Sequence, residues 1–258
     1  MKKLPLLSLA AICMMVACAG NNKPAGQENE KDSTSSSLTT NVASAAEEEN
    51  PIDLKAFGFK GKVAEVTYQS FSVENEDAED LKATDLYTSD DAPDHYAFSK
   101  EGRIIEDPWN GVYHYNDQGD FIKGVNEKSV MRRDEQGRIC FYRHAEDDED
   151  DCMFTNEFTY DAQGRITKID RGFWEASIVE DFFYEGDSPY PNKRIYHRDD
   201  QGFSVDTETL YRYTKFDENG NWIERELRYT GTETDAFDES ANTRWKGANI
   251  EKRVIRYY

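Results

Sequence analysis

Residue types that most often carry chemistry are scarce in this chain. Only four of its 258 residues are cysteine and four are histidine, and no histidine pair has the HExxH spacing of a zinc protease. No P-loop, dinucleotide-binding glycine fingerprint or serine nucleophile elbow occurs. The sequence therefore lacks the common nucleotide, zinc-protease and serine-hydrolase motifs, and it predicts no catalytic residue, no metal ion and no cofactor.

Positive charge is also scarce. The chain has 31 Lys and Arg against 52 Asp and Glu, which gives a formal net charge of −21 at pH 7. Such a balance repels the phosphates of nucleic acids, so the sequence predicts no nucleic-acid partner. Aromatic residues make up 13% of the chain, which favours a packed core over disorder because Tyr, Phe and Trp bury large areas.

A long hydrophobic segment is missing as well. The apolar run from Leu4 to Ala17 is shorter than the roughly 20 residues that a membrane-spanning helix requires. It follows Lys2 and Lys3 and ends at Cys18, so residues 1–17 are typical of a secretory signal peptide. Small residues before a cysteine resemble the lipobox of bacterial lipoproteins, and we expect an acylated Cys18 to anchor the protein to the membrane. A secretory signal with a coincidental cysteine is the alternative.

The next segment, residues 18–50, is predicted to be the lipidated cysteine followed by a disordered linker. It consists mainly of Asn, Lys, Gly, Glu, Ser, Thr and Ala. Such a segment cannot bury enough apolar surface to offset the entropy of ordering it. Residues 51–258 then remain as one folded domain with a core of its own.

Six segments of this domain share a glycine that follows Asp, Asn or Ser by three residues. The glycines are Gly102, Gly119, Gly137, Gly164, Gly202 and Gly220, and the partners are Ser99, Asn116, Asp134, Asp161, Asp199 and Asp217. This pattern is typical of a type I turn followed by a left-handed glycine, as found at hairpin tips. Spacings of 17, 18, 27, 38 and 18 residues predict a repeated hairpin, with a degenerate copy around Gly186 inside the longest gap.

Strand patterns support this interpretation. Ala64, Val66 and Tyr68 alternate with polar residues, and residues 250–255 alternate less regularly. A sustained 3.6-residue period is absent from the sequence. We therefore predict an all-β domain, an antiparallel meander of repeated hairpins that forms a curved or partly closed sheet.

The repeat motif also resembles a known family. Residues 160–168, Tyr-Asp-Ala-Gln-Gly-Arg-Ile-Thr-Lys, resemble the YD repeat of RHS-type proteins, and residues 216–225 resemble the terminal copy in short YD-repeat lipoproteins of Bacteroidetes. Residues 58–63 and 253–258 are similar to that group as well. Only the copy at Gly164 matches the repeat fully, since Arg133 and Arg198 replace its aromatic residue. Large RHS proteins enclose a toxin in a shell, which six units are too few to close, and the short lipoproteins imply no activity.

Two cysteines remain in the domain, Cys140 and Cys152. A hairpin centred near Glu146 would place them opposite each other, so we predict a disulfide in this oxidising compartment. Two reduced cysteines are the alternative, because directly opposed strand pairs strain disulfide geometry. The acidic run 146–151 lacks the ligand alternation and glycine of a calcium loop, and we predict that it and the acidic stretch 74–94 are solvated loops.

Aromatic residues are the remaining candidates for binding. They could form a platform for a glycan or a protein, or they could be core pairs between strands. The candidate residues are Trp109, Tyr113, Trp174, Tyr190 and Trp222. The leading hypothesis is a non-catalytic cell-envelope lipoprotein whose β-repeat surface binds another envelope protein. A glycan-binding surface lipoprotein is the second hypothesis, and a carboxylate-based hydrolase is the third.

The membrane face follows from the residues after Cys18. They carry no acidic residue before Glu28, whereas an early acidic cluster resembles a surface-export signal in Bacteroidetes-like lipoproteins. We therefore expect an outer-membrane lipoprotein that faces the periplasm. Protease added to intact cells should leave the protein uncut, and the same protease should cleave it in permeabilised cells. Cleavage in intact cells would place it on the surface.

Overall fold

The computed structural model describes residues 52–87, 94–108, 110–145, 153–173 and 176–258. The predicted signal peptide, Cys18 and the linker lie outside the described residues. Most of the described chain is β-strand, apart from the short helix α1 (Ile52–Ala56) and a 3₁₀ turn at Glu239–Ala241. In this part of the chain no helix has the length and apolar character needed to cross a membrane. The all-β prediction is confirmed.

The strands follow one another along the chain with short connections. They are β1 (Val63–Val73), β2 (Ala83–Leu86), β3 (His95–Phe98), β4 (Ile104–Asp107), β5 (Gly111–Val112), β6 (His114–Tyr115), β7 (Phe121–Lys123), β8 (Val130–Arg133), β9 (Ile139–Ala145), β10 (Met153–Tyr160), β11 (Ile166–Phe173), β12 (Ala176–Phe183), β13 (Lys193–Asp200), β14 (Phe203–Phe216), β15 (Trp222–Asp235) and β16 (Thr243–Tyr257).

Fourteen of these strands form a single antiparallel sheet. Its order is β5-β4-β3-β1-β16-β15-β14-β13-β12-β11-β10-β9-β8, with β2 beside β1, and β6 and β7 form a separate hairpin. The first and last long strands pair in the middle of the sheet, where Val66 lies opposite Ile255. The sheet is not closed by strand pairing in the described residues, since its path ends at β5 and β8.

The repeat turn has the predicted geometry at five of the six glycines. At Gly164, where φ is +83°, the glycine N–H donates to the Asp161 carbonyl at 3.0 Å, and the Asp161 N–H donates to the Arg165 carbonyl at 2.9 Å. The Asp161 carboxylate accepts the N–H groups of Gln163 and Arg165, both at 2.9 Å. The same main-chain pair closes the turns at Gly102, Gly119, Gly137 and Gly220.

The turn at Gly202 is different, which corrects the prediction there. Asp200 pairs with Phe203, so only Gln201 and Gly202 form the loop, and both have positive φ, +52° and +93°. Positive φ at both central residues is the type I′ hairpin turn. Because β13 runs away from the end that carries the other repeat turns, Gly202 lies at the opposite end of the sheet. Asp199 is therefore a strand residue and does not belong to a repeat turn.

The degenerate copy at Gly186 takes the missing place. The Tyr184 hydroxyl donates to the carbonyl of Ile166 at 2.7 Å, and the Tyr160 hydroxyl donates in the same way to the carbonyl of Ile139 at 2.7 Å. These tyrosines therefore occupy equivalent positions in successive repeats.

Successive repeats are joined by arginine–tyrosine contacts. The guanidinium carbon of Arg138 lies 4.3 Å from the ring centre of Tyr160, and that of Arg165 lies 4.4 Å from the ring centre of Tyr184. At these two turns, the arginine after the glycine thus covers the tyrosine of the next repeat. Cation–π contacts of this kind contribute about 0.5–2 kcal/mol each.

The segment that contains α1 packs against strands from both ends of the sheet. The ring of Phe57 lies 6.0 Å from that of Phe98 on β3 and 6.5 Å from that of Phe158 on β10. Buried Asp53 accepts the N–H of Ile104 on β4 and binds Arg133 on β8 at 2.7 and 3.0 Å. Since one short segment contacts strands that are far apart in the strand order, the sheet curves around it. We call the face toward α1 the inner face.

The turn carboxylate should contribute measurably to stability. Burial acts to raise the pKa of Asp161, but the N–H groups of Arg165 and Gln163 and the Arg165 guanidinium together hold it below its ordinary value. We expect Asp161→Ala to lower the free energy of unfolding by about 1–2 kcal/mol at pH 7, and Asp161→Asn by less, because Asn still accepts hydrogen bonds. The advantage of wild type over Asp161→Asn should be present above about pH 4 and lost as the pH falls through the lowered pKa.

Urea unfolding of these variants at pH 7 and at acidic pH measures both effects. The matched control is Asp199→Ala, which removes an aspartate three residues before a glycine where no repeat turn forms, and it should change stability by less than about 0.5 kcal/mol. An equal loss in Asp199→Ala and Asp161→Ala would contradict the assignment of the turns.

Candidate functional site

The inner face of the central strands carries buried charges. Glu180 on β12 has no exposed surface and accepts hydrogen bonds from Arg171 on β11 at 2.6 Å and from Arg194 on β13 at 2.9 Å. Both arginines are also buried. Because buried charges are costly unless they are paired, the Glu180 carboxylate offsets part of the positive charge that Arg171 and Arg194 bring from the two neighbouring strands.

A second ion pair continues the same face. The Arg225 Nε donates to Glu251 at 2.8 Å, and Arg253 places its guanidinium carbon 3.5 Å from the ring centre of Trp222. Glu251 and Arg253 are buried, whereas Val254 is 61% exposed. The predicted half-buried strand at the C-terminus is therefore present, but charged residues occupy part of its buried side.

Burial and pairing shift the pKa values of Arg225 and of two nearby tyrosines away from neutral pH. Burial acts to lower the pKa of Arg225, but Glu251 and nearby tyrosines outweigh it and the pKa rises. Burial raises the pKa of Tyr190 to about 12 and also raises the pKa of Tyr211. At neutral pH Arg225 therefore stays charged, and Tyr190 and Tyr211 stay protonated. Such groups suit the alignment of strands better than the transfer of protons.

The predicted aromatic platform is not formed by its described members. Tyr113, Tyr190 and Trp222 are all buried, with 3–6% of their surfaces exposed. The Tyr113 hydroxyl donates to buried Asp107, and Trp222 packs between Arg253 and Tyr68. These three residues therefore belong to the core, which is the alternative that the sequence left open, and they are not available for a binding platform. Trp109 and Trp174 lie outside the described residues.

The pairing of β9 with β10 corrects the geometry behind the predicted disulfide. Met153 lies opposite Ala145 and Glu157 opposite Phe141, so the hairpin is centred three residues beyond Glu146. Buried Cys140 lies five residues before Ala145, the last residue of β9, and therefore about 16 Å from the loop end of that strand. By comparison, the Cα atoms of bonded cysteines lie less than about 7 Å apart. Cys152 lies outside the described residues, as does the acidic run 146–151. The bond stays a prediction, to be tested by alkylation without reductant.

On the outer face, an acidic loop lies across three strands. This loop, residues 74–82, connects β1 to β2 and is closed by a hydrogen bond from the Glu74 N–H to the Lys82 carbonyl at 3.1 Å. We call it the strap. It contacts one cation on each strand below it, Arg212 on β14, Arg228 on β15 and Lys246 on β16, which we call the cationic strip. The acidic stretch predicted to be a solvated loop is thus bound to the sheet along this part.

A groove lies beside the strap. It has a volume of about 200 Å³ and is lined by Glu76, Asp77, Glu208, Leu210, Arg228, Tyr229, Thr230, Lys246 and Gly247. The lining combines acidic and basic side chains with the apolar side chain of Leu210. The hydrogen bond from Lys246 holds the pKa of Asp77 below its ordinary value. The groove therefore suits a polar, charged segment with one apolar side chain better than a purely apolar ligand.

Next to this groove, apolar side chains lie among charged ones. Phe183 on β12 and Leu210 on β14 both flank Lys193 in the register of the sheet, and they are 41% and 49% exposed. The Lys193 ammonium lies 4.5 Å from the ring centre of Phe183. We call Phe183 and Leu210 the outer patch.

Comparison with known proteins identifies no relative of this chain: no family model matches it, and neither curated proteins nor solved structures yield a match.

Sequence reasoning missed the buried ion pairs and the strap. Glu180 lies in Ile-Val-Glu-Asp-Phe-Phe, where alternation with Ile178 and Phe182 was the signal that it shares their buried side. The cationic strip had no comparable signal, because Arg212, Arg228 and Lys246 become neighbours only through the register of β14, β15 and β16.

Removal of the shared carboxylate should destabilise the fold strongly. We expect Glu180→Ala to lower the free energy of unfolding by about 3–5 kcal/mol, because Arg171 and Arg194 would lose their common counter-charge while still buried. The control is Glu208→Ala on the outer face of β14, where the side chain is exposed and a change below about 0.5 kcal/mol is expected. Urea unfolding followed by tryptophan fluorescence measures both, and similar small losses would contradict a paired, buried Glu180.

Proposed function

We propose that this protein is a non-catalytic, lipid-anchored protein of the bacterial cell envelope that binds another envelope protein through the outer face of its sheet. The single observation that carries this proposal is the contrast between the two faces. The inner face is packed with its own core and ion pairs, whereas the outer face of β12–β14 exposes the outer patch beside a charged groove.

The packed interior favours binding over catalysis. Glu180 and Glu251, the two buried glutamates of the inner face, are each held by arginine. A carboxylate-based hydrolase needs one carboxyl group with a raised pKa beside an ionised one in a cleft. Among the described residues, no cluster of three or more His, Cys, Asp or Glu is arranged to hold a metal ion.

The size of the sheet also suits a protein partner. Strands β14, β15 and β16 are 14 or 15 residues long and give a broad, nearly continuous face. The outer patch supplies the exposed apolar contacts that mark interaction surfaces, and a stretch of charged side chains surrounds it. The lipid anchor and linker that the sequence predicts at residues 18–50 support the envelope location, and the turn motifs support a relation to the short YD-repeat lipoproteins.

Charge reversal at the outer patch should disrupt the interaction. In crosslinked cells the full-length lipoprotein should recover a reproducible protein partner, and the double variant Phe183→Glu/Leu210→Glu should recover at least tenfold less of it, because carboxylates would enter the apolar contact. Val254→Glu is the matched control, since Val254 is also an exposed apolar residue but lies on β16 away from the patch. Absence of any reproducible partner, or equal loss in the control, would overturn the proposal.

A further inference from the structure

The strap is held to the sheet mainly as a ligand would be held. Arg228 donates to the main-chain carbonyls of Glu76 at 2.8 Å and Glu79 at 3.1 Å, and also to that of Ala78. Main-chain carbonyls occur in every peptide, so this arginine recognises the course of a peptide rather than one side chain.

The two flanking cations recognise acidic side chains. Arg212 donates to Asp80 at 2.7 Å and is itself fixed by Glu226 at 2.7 Å, while Lys246 donates to Asp77 at 2.7 Å. Carbonyl recognition in the centre and carboxylate recognition on both sides together describe a site for a short acidic peptide.

Most of the strap is exposed to solvent. Only Leu81 is buried, where it packs against Ala248 and Ile250, and Asp77 and Asp80 have 76% and 82% of their side chains exposed. Exposed ion pairs contribute little and are screened by salt. Another acidic segment can therefore compete for the ion pairs at the tip of the strap, whereas Leu81 and the hydrogen bond from its N–H to Glu226 hold the base in place. A loop of this length with its ends close together is often a functional element.

We propose that the cationic strip is a binding site for an acidic peptide segment of a protein partner, and that the strap occupies this site within the same chain until the partner segment displaces it. This inference rests on the proposed function and names the chemistry of the partner. The groove beside the strap provides room for the incoming segment, and Leu210 in its lining connects the strip to the outer patch.

The covalent connection of the strap to the sheet determines how strongly it competes with a free peptide. A segment joined to its own site by a short connection has an effective concentration in the millimolar range. A free acidic peptide must compete against it and should bind the native protein weakly. Loosening the strap should therefore expose the strip and raise the affinity for the free peptide.

A labelled peptide with the strap sequence, residues 74–82, is the probe. We expect the full-length lipoprotein in detergent to bind it weakly, and the variant Asp77→Asn/Asp80→Asn to bind it at least tenfold more tightly in fluorescence anisotropy. Addition of Arg228→Gln to this variant should remove the gain, whereas addition of Lys252→Gln, a cation of the same face outside the strip, should not. A peptide with Asn and Gln at its acidic positions should bind the loosened variant at least tenfold more weakly than the acidic peptide, because it keeps only the carbonyl contacts of Arg228.

Hydrogen exchange on the unmodified protein provides a second measurement that needs no variant. Millimolar acidic peptide should speed the exchange of the strap amides, and the neutral peptide should not. Equal binding to the native and loosened proteins, or equal effects of both peptides, would overturn the inference. Because these experiments need no cellular partner, peptide binding without a recovered partner would contradict the proposed function alone, and a recovered partner without peptide binding would contradict this inference alone.

Discussion

The antiparallel meander depends on one local interaction, the acceptance of main-chain N–H groups by the side chain three residues before each turn glycine. At Asp161 one carboxylate oxygen binds two N–H groups that the bend leaves without strand partners, and the other binds Arg165 at 2.6 Å. The glycine takes the left-handed conformation that residues with a Cβ adopt only at a cost. Once the bend is set, the next strand has one direction in which it can pair.

The same interaction links the repeats to one another. Arg165 is held by Asp161 on one side and lies over Tyr184 on the other, and Tyr184 in turn donates to the carbonyl of Ile166. A turn, a strand end and the next repeat are thus connected through three side chains. Arg138 after Gly137 has the same contacts with Asp134 and Tyr160.

Net charge describes the surface of this molecule better than its interior. The chain is acidic, yet arginines are concentrated on the buried inner face, where Arg171 and Arg194 share Glu180. A one-residue slip of β12 would turn Glu180 to the outer face and leave the buried arginines without their counter-charge. The ion pairs therefore specify strand register, which an apolar inner face of similar residues would define less strongly.

The outer face has the opposite arrangement. There the cations of β14, β15 and β16 hold a segment of the chain itself, and exposed apolar residues lie next to it. The ion pairs of the inner face are buried, whereas those between the strap and the outer face are largely exposed to solvent. The proposed exchange of the strap for a partner segment would use this arrangement, because the sheet would keep its shape while the strap left it.

The sequence by itself determined the features whose physics is complete within a few residues. The turns at Gly137, Gly164 and Gly220 are predictable because the acceptor, the glycine and the closing residue all lie within five positions. The same four-residue pattern was misleading at Asp199 and Gly202, because it does not specify that the pairing of β13 with β14 continues as far as Asp200 and Phe203. The β-strands and the all-β class followed from the turns and from alternation.

Only the tertiary structure decided which charged side chains are buried on the inner face, which aromatic residues belong to the core, and where the strap lies. Asp53 meets Arg133 across 80 positions, and Lys246 meets Asp77 across 169. Trp222 is a core residue only because Arg253 and Tyr68 from distant strands cover it. Such contacts depend on the register and curvature of the whole sheet, and no local pattern in the chain encodes them.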